Sequence, residues 1–385
     1  MLPTGKTLPE ALEERGIGRR DFIKFAGAMA ATLALPPRYV TRIVEALERT
    51  PKPVLVWLEF QDCAGCSESI LRSSHPGVDE IVLELLSWEY HELIMAGAGK
   101  QAEAQLKKVV QEQKGKYIAV VEGSIPMAEN GVYCTIGGRT ALDIATEVCS
   151  SAAATISMGA CAWDGGWPAE GPTRAVGVDK AVPGIPVLNL GGCPPNAANT
   201  AAVITHYLTF GEMPATDKYN RPLFAYGHLI HEQCERRGFY DAGLFVEEWG
   251  DEGSRKGWCL YKMGCKGPSA TYNCPVVRWN QGTSWPVQAG HGCIGCASYQ
   301  FWSQNSPFYE RLPSVPGFGA DTSAEDIGLK LVAAVGALTM LHALAKAAQA
   351  AAPRLRKAVA AATAGKVTDA ETDAETGAGE EEPRA

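Results

Sequence analysis

Eleven side chains able to hold a metal fall into two sets, and their placement constrains the fold of this 385-residue chain more than any other feature. Cys63 and Cys66 form Cys-Ala-Gly-Cys just after an apolar run, while Cys161 (Gly-Ala-Cys-Ala) and Cys193 (Gly-Cys-Pro-Pro) each follow a later one. Thiolates that distant in sequence meet only if the backbone returns several times to the same edge. A set of four then suits a 4Fe-4S cage or a zinc site. The second set is denser: His231-x2-Cys234-x24-Cys259-x5-Cys265-x8-Cys274-x18-Cys293-x2-Cys296. Seven ligands cannot complete two four-ligand cages, so one site is short by one, as a three-thiolate 3Fe-4S cluster would be. Disulfides are the alternative, although the histidine and the uneven spacing favour metal. Cys134 and Cys149 lie outside both sets and read as free structural thiols.

The first set predicts the architecture around it. Over residues 51–211 short apolar runs alternate with helical stretches. Strands are expected at Pro53–Phe60, Glu80–Leu85, Tyr117–Val121, Thr155–Met158 and Val187–Leu190, and helices at Ala102–Gln113 and Thr140–Ser150. Such alternation makes an α/β domain with a doubly wound, flavodoxin-like parallel sheet. Ligands on these sheets sit beyond the carboxyl ends of the strands, where Glu59–Cys66, Glu122–Pro126, Gly159–Cys161 and Gly191–Pro195 all fall. Over residues 212–320 the periodicity disappears and Gly, Pro, Cys, Trp and Tyr dominate. That composition predicts a loop-rich domain organised by bound metal.

The ends of the chain carry different signals. In residues 1–50 the pair Arg19-Arg20 precedes the small apolar run Phe25–Leu35, the pattern of a twin-arginine export signal. An amphipathic helix of the folded body is the competing reading. Residues 327–348 are apolar enough to anchor in a membrane, with Lys330 and Lys346 placed to snorkel. Arg354, Arg356 and Lys357 follow, which puts that flank in the cytoplasm and the body on the outer, periplasmic face. A soluble helix is the alternative there. Of the 43 acidic residues seven fall in Thr368–Glu382, which has no Lys or Arg and lies in the low-complexity stretch 366–385 expected to be disordered. Without it acids and bases nearly balance, so nothing points to nucleic acid as a partner.

Taken together, these residues resemble the small subunit of the membrane-bound NiFe hydrogenases. The resemblance rests on WLEFQDCAGCSES (57–69), VEGSIP (121–126), GACAWDGG (159–166), GGCPPN (191–196), IHEQCERRGFYDAGLFVEEW (230–249), KGWCLYKMGCKGPSATYNCP (256–275) and GHGCIGC (290–296), and runs from about Ile17 to Lys346. It implies three clusters in a row: a proximal 4Fe-4S on Cys63, Cys66, Cys161 and Cys193; a distal 4Fe-4S on His231, Cys234, Cys259 and Cys265; and a medial 3Fe-4S on Cys274, Cys293 and Cys296, with Pro286 near the missing corner. It further implies a separate large subunit holding the nickel–iron centre, and a membrane cytochrome b that passes electrons to quinone. The large-subunit motif continues each Cys-x-x-Cys to a histidine three residues on, where this chain has Ser69 and Tyr299. Oxygen-tolerant members resembling this chain carry two further cysteines at the positions of Gly65 and Gly166, which implies a conventional four-cysteine proximal cluster here. The loop Trp167–Thr173 also looks shorter than the family's. Competing functions are a hydrogen-sensing subunit, an exported protein stabilised by zinc or disulfides, and a respiratory-complex subunit of related fold, which would leave the second set unexplained.

Overall fold

A computed structural model describes residues 19–49, 52–73, 77, 78, 81, 86–309 and 324–372. The chain divides at Ser314 into two units.

The first unit is built on five parallel strands: β1 (Val54–Glu59), β2 (Ser87–His91), β3 (Tyr117–Glu122), β6 (Ala154–Met158) and β7 (Val187–Leu190). A two-residue hairpin, β4 (Thr135–Ile136) and β5 (Arg139–Thr140), lies between β3 and β6. The sheet order is β2-β1-β3-β6-β7, so the winding reverses between β1 and β3. Loops leaving those neighbours diverge and open a crevice at their carboxyl ends. Every residue of β3 and β6 is buried, as expected for strands covered on both faces. One face packs on α4 (Lys100–Glu112) and α5 (Ala141–Ser151), with Leu106, Val110, Ile144 and Val148 against Val56, Leu58 and Val121. Thr140 caps α5, its side chain accepting from the Asp143 amide at 3.1 Å. On the other face, Leu55, Trp57, Ile118 and Ile156 meet α3 (Gly65–Leu71) and α7 (Ala197–Phe210), joined by residues of the loop-rich segment such as Tyr226, Tyr272 and Trp285. α6 (Gly159–Asp164) follows β6 directly.

The expected strand at Glu80–Leu85 lies outside the described residues except for Ile81, and the second strand is Ser87–His91. As an edge strand paired only with β1, it tolerates Glu89 and His91 among its aromatics, which hides it from an apolar count. After Phe210 no named strand occurs among the described residues, and helices up to residue 309 span at most five residues.

The arginine-pair segment is folded onto the body. α1 (Arg19–Thr32) and α2 (Tyr39–Arg49) bury Phe22, Phe25, Ala26, Met29 and Ile43 against Ala201 and Ala202 of α7. The competing reading of this segment, an amphipathic helix packed on the body, therefore describes the conformation seen. Met29 is 1% exposed, so Met29→Asp is expected to destabilise the full-length chain by about 3 kcal/mol or more, from lost packing and a buried charge. Denaturant unfolding checks this; an unchanged midpoint would mean that the helix does not dock in solution.

In the second unit the apolar segment belongs to α8 (Ala324–Thr372), a 49-residue helix that outruns the expected 327–348. Its Ala-rich continuation, a strong helix former, carries it into the acidic stretch as far as Thr372; residues 373–385 lie outside the described ones. Gly328–Ala362 is long and apolar enough to cross a membrane, and none of it is buried in the structure.

Candidate metal centres

Cys63, Cys66, Cys161 and Cys193 converge at the β1/β3 crevice, each close enough to feel the charge of others in the set. Three elements bring them there. Cys63 and Cys66 lie on the loop after β1 and the start of α3, Cys161 lies in the first turn of α6, and Cys193 follows β7. Close packing explains two glycines. Gly159 has φ +90°, and a Cβ there would lie 2.5 Å from Cys66 Sγ. Gly166, at φ +52°, would bring a Cβ within 2.8 Å of both Cα and Sγ of Cys161. A cysteine at Gly166 therefore requires a different backbone.

The anchor of the Cys-x-x-Cys loop is a residue the sequence did not single out. Glu122, at the end of β3 and 1% exposed, accepts from the amides of Cys66 and Ser67, both at 2.9 Å. It also accepts from Ser67 Oγ at 2.6 Å and Trp57 Nε1 at 3.1 Å. The only signal for it was a carboxylate closing the apolar run YIAVVE. Burial, with Glu122 nearby, pushes the Glu59 carboxyl up to about 7 and Asp62 up to about 6. Burial likewise raises the thiol of Cys161 to about 12, so it stays protonated at neutral pH unless a metal displaces the proton.

In the loop-rich segment, His231, Cys234, Cys259 and Cys265 line one pocket. Cys274, Cys293 and Cys296 line another, together with Pro286 and Cys193. His231 Nε2 is buried without a hydrogen-bond partner, and burial lowers the imidazole pKa, which keeps the ring neutral and able to donate a lone pair. Backbone N–H groups point at sulfur: Arg236 to Cys234 (3.4 Å), Cys293 to Cys265 (3.2 Å) and Gly295 to Cys293 (3.3 Å).

The donors suit clusters better than single ions. All 12 cysteines are free, which removes the disulfide reading for this conformation. A tetrahedral zinc site with Zn–S of about 2.3 Å would hold its sulfurs about 3.8 Å apart. Among the described residues, the one group of three or more candidate ligands whose donor atoms lie within 4.8 Å of one another is Glu59, Asp62 and Glu122. The cysteine sets are wider, as a cage around several irons requires. Cys134 and Cys149 are not in these sets; Cys149 sits in the core beside Val148.

The family described as the C-terminal part of the NiFe/NiFeSe hydrogenase small subunit matches residues 226–309, and that described as NADH ubiquinone oxidoreductase, 20 Kd subunit, matches residues 63–207. The uptake hydrogenase small subunit of Azotobacter vinelandii is 45% identical over 340 residues, 88% of this chain and 95% of its own length. The quinone-reactive Ni/Fe-hydrogenase small chain of Wolinella succinogenes is 46% identical over 343 residues, 86% and 97% of the two chains. Among solved structures, the [NiFeSe] hydrogenase from Desulfovibrio vulgaris Hildenborough superposes with a TM-score of 0.64 at 33% identity, covering 68% of this chain and 99% of that one. Sheet order, cysteine placement and near full-length similarity agree, and the chain belongs to the family of NiFe hydrogenase small subunits.

Proposed function

We propose that this chain relays electrons from hydrogen oxidation in a partner large subunit, through three iron–sulfur clusters, to a membrane cytochrome b and quinone. Residues 51–211 would carry the proximal 4Fe-4S on Cys63, Cys66, Cys161 and Cys193. Residues 212–320 would carry the distal 4Fe-4S on His231, Cys234, Cys259 and Cys265, and the medial 3Fe-4S on Cys274, Cys293 and Cys296. The supporting observation is the contact between sets: Cys193 lines the cavity of Cys274, Cys293 and Cys296, while Cys293 donates its amide to Cys265. Each set thus touches the next, as a relay requires. When bound, the clusters supply sites that accept and release one electron at a time.

The protein's own part is to hold and bias them. Sulfur-directed N–H groups stabilise the reduced state, and neutral His231 in place of a thiolate raises the distal potential. The acceptor reading is supported by the quinone-reactive name of the Wolinella relative and by an apolar helix able to reach the membrane. Export by the twin-arginine route, with the body on the periplasmic face, is supported by Arg19-Arg20 and by the cations Arg354, Arg356 and Lys357. That route carries folded, cofactor-loaded proteins, so a leader helix docked on the finished body is compatible with it.

Iron, sulfide and zinc counted on anaerobically purified full-length complex test the reading. About 11 irons per chain, with nickel arriving on a second chain, are expected. Zinc with little iron would overturn it. In the same complex His231→Cys is expected to lower the potential of one 4Fe-4S cluster in an EPR-monitored titration, and no shift would remove His231 from the ligand set.

A further inference from the structure

Among the described residues, the least exposed guanidinium–carboxylate pair lies where the first and second cysteine sets meet. Arg221 is 5% exposed; its Nε donates to Asp217 Oδ2 at 2.9 Å, and Nη2 lies 2.7 Å from the same oxygen. Its remaining donors leave the pair. Nη1 reaches the carbonyl of Ala297, directly after Cys296, at 2.7 Å, and Nη2 reaches Thr271 Oγ1, three residues before Cys274, at 3.0 Å. The guanidinium also lies over three rings: Tyr226 at 4.8 Å, Trp163 at 5.2 Å and Tyr219 at 5.3 Å. Trp163 is two residues past Cys161. Tyr226 donates its hydroxyl to the carbonyl of Gly191, two residues before Cys193, at 2.6 Å. One side chain thus ties together both later loops of the first set and both ends of the three-cysteine set.

We infer that the Arg221–Asp217 pair is a positioning element of the relay that holds the proximal and medial sites at a fixed separation and biases their potentials by its charge. This rests on the three-cluster reading above. The fork geometry explains the choice of arginine: four acceptor contacts and three ring faces surround a planar cation, and lysine can supply the charge but not the fork. The Arg221 side chain is 6% exposed and that of Asp217 is 17%, so water screens the carboxylate more than the guanidinium. The guanidinium end of the pair makes the contacts to Ala297 and Thr271, so its positive end faces the three-cysteine set and favours added electrons there.

Opposite substitutions must then act with opposite signs. EPR-monitored redox titration of the full-length complex would compare wild type with Arg221→Met, Arg221→Lys and Asp217→Asn. Arg221→Met is expected to lower the proximal or medial potential, and Asp217→Asn to raise it. Arg221→Lys should keep the wild-type potential while hydrogen-driven acceptor reduction falls about tenfold from the lost cross-tie. Unchanged potentials, or shifts of one sign in both single-charge variants, would overturn the inference and leave a purely structural pair. If Arg221→Met does not assemble, the Lys and Asn variants decide it alone. Absence of cluster signals in wild type is a separate outcome, which fails the three-cluster reading itself.

Discussion

Replacing Cys161 by serine is expected to remove about four of about 11 irons per chain and to lower hydrogen-driven reduction of a quinone analogue by well over about 100-fold. The size follows from position. Cys161 sits in the first turn of α6, beside the Cys63, Cys66 and Cys193 loops, and in the proposed relay the proximal site would be the first stop for every electron leaving the large subunit. Serine offers a hard, protonated hydroxyl where iron needs a soft thiolate, and Gly166 packs too tightly on Cys161 for the backbone to bring in another donor. Removing a residue that only hydrogen-bonds to a metal ligand already costs about 10- to 100-fold, so loss of a ligand exceeds that range. Cys149→Ser is the control: that thiol is the more deeply buried of the two, yet it lies in the α5 core, and the substitution should leave the iron count unchanged. Full iron in Cys161→Ser, or equal losses in both variants, would remove Cys161 from the proximal set.

The second large effect concerns the membrane. A chain ending at residue 323 is expected to leave the membrane fraction, while the full-length chain resists carbonate extraction. Leu329, Leu331, Val332, Val335, Leu338, Met340, Leu341 and Leu344 are each more than half exposed in the structure. Burying a side chain of this kind is worth about 1.5 kcal/mol or more, so the group contributes on the order of 10 kcal/mol toward lipid. Lys330 subtracts little, because its ammonium can snorkel to the interface. About 20 residues span the hydrocarbon layer, and Gly328–Ala362 supplies 35. Truncated protein that stays on the membrane would assign the attachment to the body or its partners and deny α8 an anchoring role.

Both experiments rest on features that differ in how far they could be read from the chain. The parallel sheet was legible because its signal is local: Tyr117–Glu122 and Val187–Leu190 are short apolar runs between helical stretches, and period and length suffice to recognise them. The strand–helix alternation then dictates parallel pairing, and parallel pairing gathers the loops of Cys63, Cys161 and Cys193 at one edge. The edge strand Ser87–His91, polar on alternate positions and paired on one side, was missed for the same reason the others were found.

Cysteine spacing separated two groups of candidate metal ligands, because ligand chemistry is written in residue type, and the division into three clusters came from the resemblance. Tertiary structure alone decided what surrounds them. Glu122 meets the amides of Cys66 and Ser67 across 56 and 55 residues of sequence, Arg221 meets Ala297 across 76, and the Gln300 amide meets Asp164 Oδ2 at 2.5 Å across 136. A buried Glu or Arg looks like any surface charge until the fold removes it from water, and the docking of α1 on Ala201 and Ala202 is equally silent in a run that also fits an export signal. Periodicity and ligand type act over a few residues and survive in the sequence; desolvation and long-range hydrogen bonding exist only once the loops have closed on one another.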